Sequence, residues 1–104
     1  MAEFTKVATV DQLAPGRGTT VRVGNTDVAV FNVDGVFHAI DGLCPHQGGL
    51  LGFGPLSGCV VKCPEHGMRF DVTTGATPGA PPGGGFTVKV FEVKVEAGDV
   101  LVSV

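Results

Sequence analysis

Four residues in this chain have the types and spacing to do chemistry: Cys44 and His46 form a Cys-x-His group, and after sixteen intervening residues Cys63 and His66 form a Cys-x-x-His group. Thiolates are soft, strongly donating ligands that stabilise ferric iron. Neutral imidazole donates less charge, so two of each suit a cluster of two unlike irons, at a higher potential than an all-Cys cluster. The one-residue spacer favours sending Cys44 and His46 to different irons, so that two loops, each giving one Cys and one His, clamp the metal from both sides. A buried Cys is commonly a small hydrophobe, but that explains one residue and not four in register. Zinc is the better rival because it accepts Cys and His together. Its familiar spacings, however, pair two Cys in one half-site and often two His in the other, whereas here each half-site is mixed.

The stretches Cys44-Pro45-His46-Gln47-Gly48-Gly49 and Cys63-Pro64-Glu65-His66-Gly67-Met68-Arg69-Phe70-Asp71, followed by Thr74-Gly75 and a proline-rich segment, resemble the signature of the Rieske domain. The resemblance implies an all-β Rieske fold and one [2Fe-2S] cluster per chain, bound by Cys44, His46, Cys63 and His66. It further implies an electron carrier similar to the small ferredoxins of bacterial aromatic-ring dioxygenase systems, loaded by a flavoprotein NAD(P)H-dependent reductase and unloaded by a terminal oxygenase. A small subunit of a larger oxidoreductase, such as nitrite reductase, is the alternative. Where the high-potential members carry two loop-tying cysteines, this sequence has Gly49 and Glu65; where they carry Ser and Tyr donors to the cluster sulfurs, it has Met68 and Phe70. Neither Met nor Phe donates such a bond, so the resemblance implies a potential towards the low end of the roughly −150 to +300 mV Rieske range. The segment Pro78-Gly79-Ala80-Pro81-Pro82 stands where the family has a loop covering the cluster.

A chain of 104 residues has room for one core. Its N-terminus has no basic region followed by an apolar run, and no stretch approaches the roughly 20 apolar residues of a membrane span. A cytoplasmic protein is expected, since the reducing cytosol suits its thiols. With a net charge of −3 and no basic block, nucleic acid and anionic membrane are poor partners. Only Cys59 is left over from the proposed ligands, and it reads as a buried core thiol; His38 reads as structural. An oxygen-activating mononuclear iron site typically needs two His and a carboxylate. Three His in all, two of them spent on the cluster, exclude a complete oxygenase.

The elements that must position these residues read as strands and turns. Phe4–Ala8 alternates, Val10–Gly16 suggests a short helical turn, and Thr19–Val23, Asp27–Val33 and Val36–Ile40 form a meander with Asp34-Gly35 as a tight hairpin. Between Gly42 and Gly85 lie 12 of the 17 Gly and 6 of the 7 Pro, the composition of backbone that wraps closely round a ligand. Within it, Gly58–Lys62 and Met68–Val72 read as short strands and Thr73–Gly75 as a turn. From Phe86 the pattern reverts, with clean alternation over Thr87–Val95, a turn at Glu96–Asp99 and a last strand over Val100–Val104. The expected architecture is antiparallel sheets in a sandwich-like base, residues 1–41 and 86–104, with an inserted cluster-binding subdomain, residues 42–85. Charges within that insert cancel (Lys62 and Arg69 against Glu65 and Asp71), so docking is expected to lean on apolar contact. Of Leu50, Leu51, Phe53 and Leu56, about half are expected to fill the insert's core and the rest to rim its surface.

Overall fold

The computed structural model describes residues 3–43, 50–64, 68–78 and 87–104. Its strands run β1 (Thr5–Thr9), β2 (Gly18–Val23), β3 (Thr26–Val33), β4 (Val36–Asp41), β5 (Leu56–Ser57), β6 (Val60–Lys62), β7 (Arg69–Asp71), β8 (Val90–Glu96) and β9 (Asp99–Ser103). Short 3-10 turns occupy Val10–Gln12 and Leu51–Phe53. One antiparallel sheet has the order β1-β9-β8-β4-β3-β2, and a second has β5-β6-β7.

The meander follows from its turns. Asp34 and Gly35 both take left-handed backbone, φ 51° and 92°, the pattern of a type I′ hairpin whose twist matches its strands. The buried Asn32 serves this corner. Its side-chain oxygen accepts from the Gly35 amide at 2.7 Å and its Nδ2 donates to the Leu13 carbonyl at 2.7 Å, so no polar atom there is stranded.

Strand β3 is the hinge between two cores. Val28 to Asn32 are all buried, and a continuous apolar run bounded by turns is the mark of a strand covered on both faces. On one face Val28 and Val30 pack with Leu13, Ala39, Phe91, Val100 and Val102. The edge strands β1 and β2 approach one another, so the large sheet rolls round this core. On the other face Ala29 and Phe31 join Ile40, Leu51, Val61, Cys63, Phe70, Val72 and Val88. The small sheet and the second 3-10 turn are thereby mounted on the back of β3 and β4.

Two local expectations are corrected, and two short elements are added. The alternation over Thr87–Val95 is not clean: β8 begins only at Val90, and its apolar side changes between Val90, opposite Ile40, and Phe91, opposite Ala39. Val88 belongs to one core and Phe91 to the other, because this segment crosses between them. Gly58-Cys59 is a turn, with Gly58 at φ 59°, and not the start of a strand. The 3-10 turn at Leu51–Phe53 and β5 carry no periodic signal because each is too short to complete a repeat.

Candidate metal centre

Two loops are closed at their roots by backbone pairs. Leu43 and Leu50 form an antiparallel bridge, and the Leu51 amide donates to the Gly42 carbonyl at 2.9 Å, so the residues on either side of 44–49 are held together. The Cys63 amide donates to the Met68 carbonyl at 2.7 Å, one pair beyond β6 and β7, and holds the residues on either side of 64–67 together in the same way. The segment after the first root packs on the second: Leu51 shares a core with Cys63, and the Lys62 amide donates to the Pro55 carbonyl at 3.0 Å, one pair beyond Leu56 and Val61 of β5 and β6. Backbone approaches so closely here that a Cβ on Gly54 would lie 1.9 Å from the Lys62 carbonyl oxygen, and one on Gly42 would lie 2.8 Å from the Asp27 carbonyl carbon. Only glycine fits either place.

Of the four residues read as ligands, Cys63 lies among the described ones; Cys44, His46 and His66 lie outside them, as do Gly49, Glu65 and residues 79–86. Cys63 is 1 % exposed, in no disulfide, and packed in the core of Val61, Phe70 and Leu51. Charge on a sulfur buried in apolar surroundings is costly without a cation beside it, and a coordinating metal both removes the thiol proton and supplies that cation. The residues therefore fit an iron-sulfur group: a buried thiol at the root of one loop, with the sequence placing another thiol and an imidazole in the other.

Met68 is half-buried against the same core and Phe70 fully buried within it, so Phe70 fills space. The apolar quartet divides: Leu51 is buried and Leu56 half-buried, while Leu50 and Phe53 are 37 % and 63 % exposed. Leu43, 42 % exposed beside Leu50, joins them and was not singled out by sequence reasoning; its only signal was its place next to Cys44. Cys59 is half-buried and not a fully buried thiol; its Sγ lies 3.7 Å from Asp71 Oδ2. Asp71 also accepts bonds from the Thr73 hydroxyl and, at 2.8 Å, the Thr73 amide. The Thr73 hydroxyl first, then the backbone and Cys59 donors, hold its carboxyl below the usual range against the opposing effect of burial. His38 is half-buried in β4, opposite Phe31.

Residues 3–92 match the Rieske [2Fe-2S] domain family, and the chain belongs to that family. It is a ferredoxin carrying one [2Fe-2S] cluster, an electron carrier and not itself a catalyst. The chain is 40 % identical over 100 residues to the biphenyl dioxygenase ferredoxin subunit of Pseudomonas sp. strain KKS102, covering 95 % of this chain and 90 % of that one. A chain from the complex of reduced oxygenase and oxidized ferredoxin in carbazole 1,9a-dioxygenase superposes with TM-score 0.86 at 37 % identity, covering 96 % and 92 %. A candidate NADH-dependent nitrite reductase small subunit from Mycobacterium tuberculosis superposes with TM-score 0.86 at 26 % identity, covering 99 % and 96 %. No helix among the described residues is long and apolar enough to cross a membrane.

Proposed function

We propose that Cys44 and Cys63 bind one iron of the cluster and His46 and His66 the other, and that the chain shuttles single electrons in the cytoplasm from an NAD(P)H-dependent flavoprotein reductase to a terminal oxygenase. Residues 1–41 and 86–104 act as the base, and residues 42–85 as the cluster-binding subdomain. The observation that carries the reading is the pair of roots, Leu43–Leu50 and Cys63–Met68, brought together where Leu51 shares a core with Cys63 and Gly54 lies against the Lys62 carbonyl. Such a frame presents two ligand loops side by side. When bound, the cluster supplies a one-electron reducible centre; the protein has only to hold it near the surface, which requires no acid, base or nucleophile.

Iron and sulfide analysis with electron paramagnetic resonance of the reduced protein tests the ligand set. Mixed thiolate and imidazole ligation is expected; zinc, or a spectrum of four thiolates, overturns it. NADH-dependent reduction by a flavoprotein reductase, followed by reoxidation by an oxygenase on mixing, tests the shuttle. The likeness to the nitrite reductase small subunit supports a second reading, a permanent subunit. Tight co-purification with a larger reductase and activity on nitrite would favour it over the free carrier.

A further inference from the structure

The summed charge of residues 42–85 hides a local arrangement. Lys62 and Arg69 stand directly opposite each other across β6 and β7, one pair before Cys63 and Met68. Both are exposed. Like charges facing each other across a ladder oppose sheet formation, and among the described residues neither has an ion-pair partner, whereas Lys6, Arg22 and Lys94 pair with Asp99, Asp27 and Glu96 at 3.3, 3.3 and 3.2 Å. Asp71, on the same face of β7, is engaged by Thr73 and Cys59 instead. Beside the two cations runs an open groove of about 550 Å³ whose other walls include Pro55, Leu56, Val60 and Pro78. Mostly apolar walls that include two cations without an ion-pair partner among the described residues suit a carboxylate carried on a hydrocarbon stem, with Arg69 able to bind it in bidentate fashion. A fully hydrated small anion gains nothing from such walls.

We infer that this groove docks an acidic segment of a redox partner protein, with a Glu or Asp carboxylate seated between Lys62 and Arg69. The inference rests on the electron-carrier reading above and adds the polarity of the contact. A partner held there lies one residue pair from the root of the loop carrying Cys63 and His66. The net charge of −3 does not oppose it, because that charge lies on residues outside 42–85 and is screened beyond roughly 8 Å at physiological salt. To the expected apolar contact the groove adds attraction for anions beside the root of the second loop.

The test uses the reduced holoprotein with ferricyanide as an anionic oxidant and hexaammineruthenium(III) as a cationic one, each rate followed from low to high salt. Ferricyanide oxidation is expected to slow by up to about tenfold as salt rises, the scale of a steered encounter, and the paired Lys62→Glu and Arg69→Glu variant to reverse that trend. A wild-type ferricyanide rate that climbs with salt overturns the site, since net charge then governs approach. In parallel, a hexaglutamate peptide is titrated against the protein while the amides of Ser57, Val60 and Asp71 are followed by nuclear magnetic resonance, with inorganic phosphate as a second titrant. The peptide is expected to shift them in the wild type and not in a Lys62→Gln, Arg69→Gln variant. Phosphate shifting them as strongly, which marks a small-anion site, or an unchanged response in the variant, overturns the proposal. Neutralising either cation relieves repulsion, so the melting midpoint should hold or rise; a fall accompanying lost binding assigns the pair to folding and overturns it. Failure of the wild-type protein to take up and release one electron reversibly instead overturns the electron-carrier reading, and the docking site with it.

Discussion

At the scale of single residues, charge decides the outcome. A neutral imidazole replaced by a thiolate adds negative charge to a cluster that must accept an electron, so His66→Cys is expected to lower the reduction potential if the cluster survives. Protein-film voltammetry checks this, and a raised potential in an intact variant contradicts the charge argument. Asp71 offers a second test. Its folded carboxyl titrates below its unfolded value, so its stabilisation is fully present above the unfolded value and is lost as pH falls through the folded one. Asp71→Asn should therefore cost about 1 kcal/mol, the scale of a hydrogen bond to a charged or polar partner, near neutral pH. The cost should shrink towards zero in acid, as read from urea midpoints across that range.

At the scale of elements, close backbone contacts and turns set the limits. The 3-10 turn of Leu51–Phe53 reaches β6 through Gly54, where a side chain would meet the Lys62 carbonyl at 1.9 Å. Gly54→Ala must push the 3-10 turn away from β6 and from Pro64 beyond it. Overpacking of this kind costs about 1–3 kcal/mol, and cluster absorbance after purification should fall with the urea midpoint. The β8–β9 hairpin carries the opposite opportunity. Ala97 sits at φ 51° before Gly98 at φ 81°, a left-handed conformation costing a non-glycine residue roughly 1–2 kcal/mol. Asn is more at home there, so Ala97→Asn should raise stability by about 0.5–1 kcal/mol, seen as a higher thermal midpoint with an unaltered cluster spectrum.

At the scale of the molecule, two cores share β3 but depend unequally on the metal. The core holding Cys63 is built from short strands and from loops whose ends are tied at Leu43–Leu50 and Cys63–Met68. The other is enclosed by the rolled sheet, and Cys63 is not among its described members. Small domains with limited burial often depend on such metal staples. Removing the iron is expected to speed hydrogen exchange at Val61, Cys63 and Phe70 by at least about tenfold, while Val30, Val100 and Val102 stay protected. Uniform loss of protection would mean that the two cores unfold as one unit.

The sequence by itself determined the family and the meander and is the source of the proposed ligand set, because metal chemistry and tight turns are written in residue type and short spacing: Cys44-x-His46, Cys63-x-x-His66, Asp34-Gly35. It also placed the glycines and prolines where backbone would have to bend closely. Tertiary structure alone decided which side of a strand each residue met. The apolar side of Thr87–Val95 changes at Val90 and Phe91 because the segment passes from one core to the other, and no local pattern records what lies opposite. The same holds for Leu50 and Leu51, adjacent and alike in chemistry, of which one is 37 % exposed and the other buried. Lys62 and Arg69 cancel against Glu65 and Asp71 in a sum over the sequence, yet cross-strand register sets the two cations face to face while Thr73 and Cys59 engage Asp71. Charge adds along a chain without regard to place, whereas attraction depends on distance, and distance is what folding assigns.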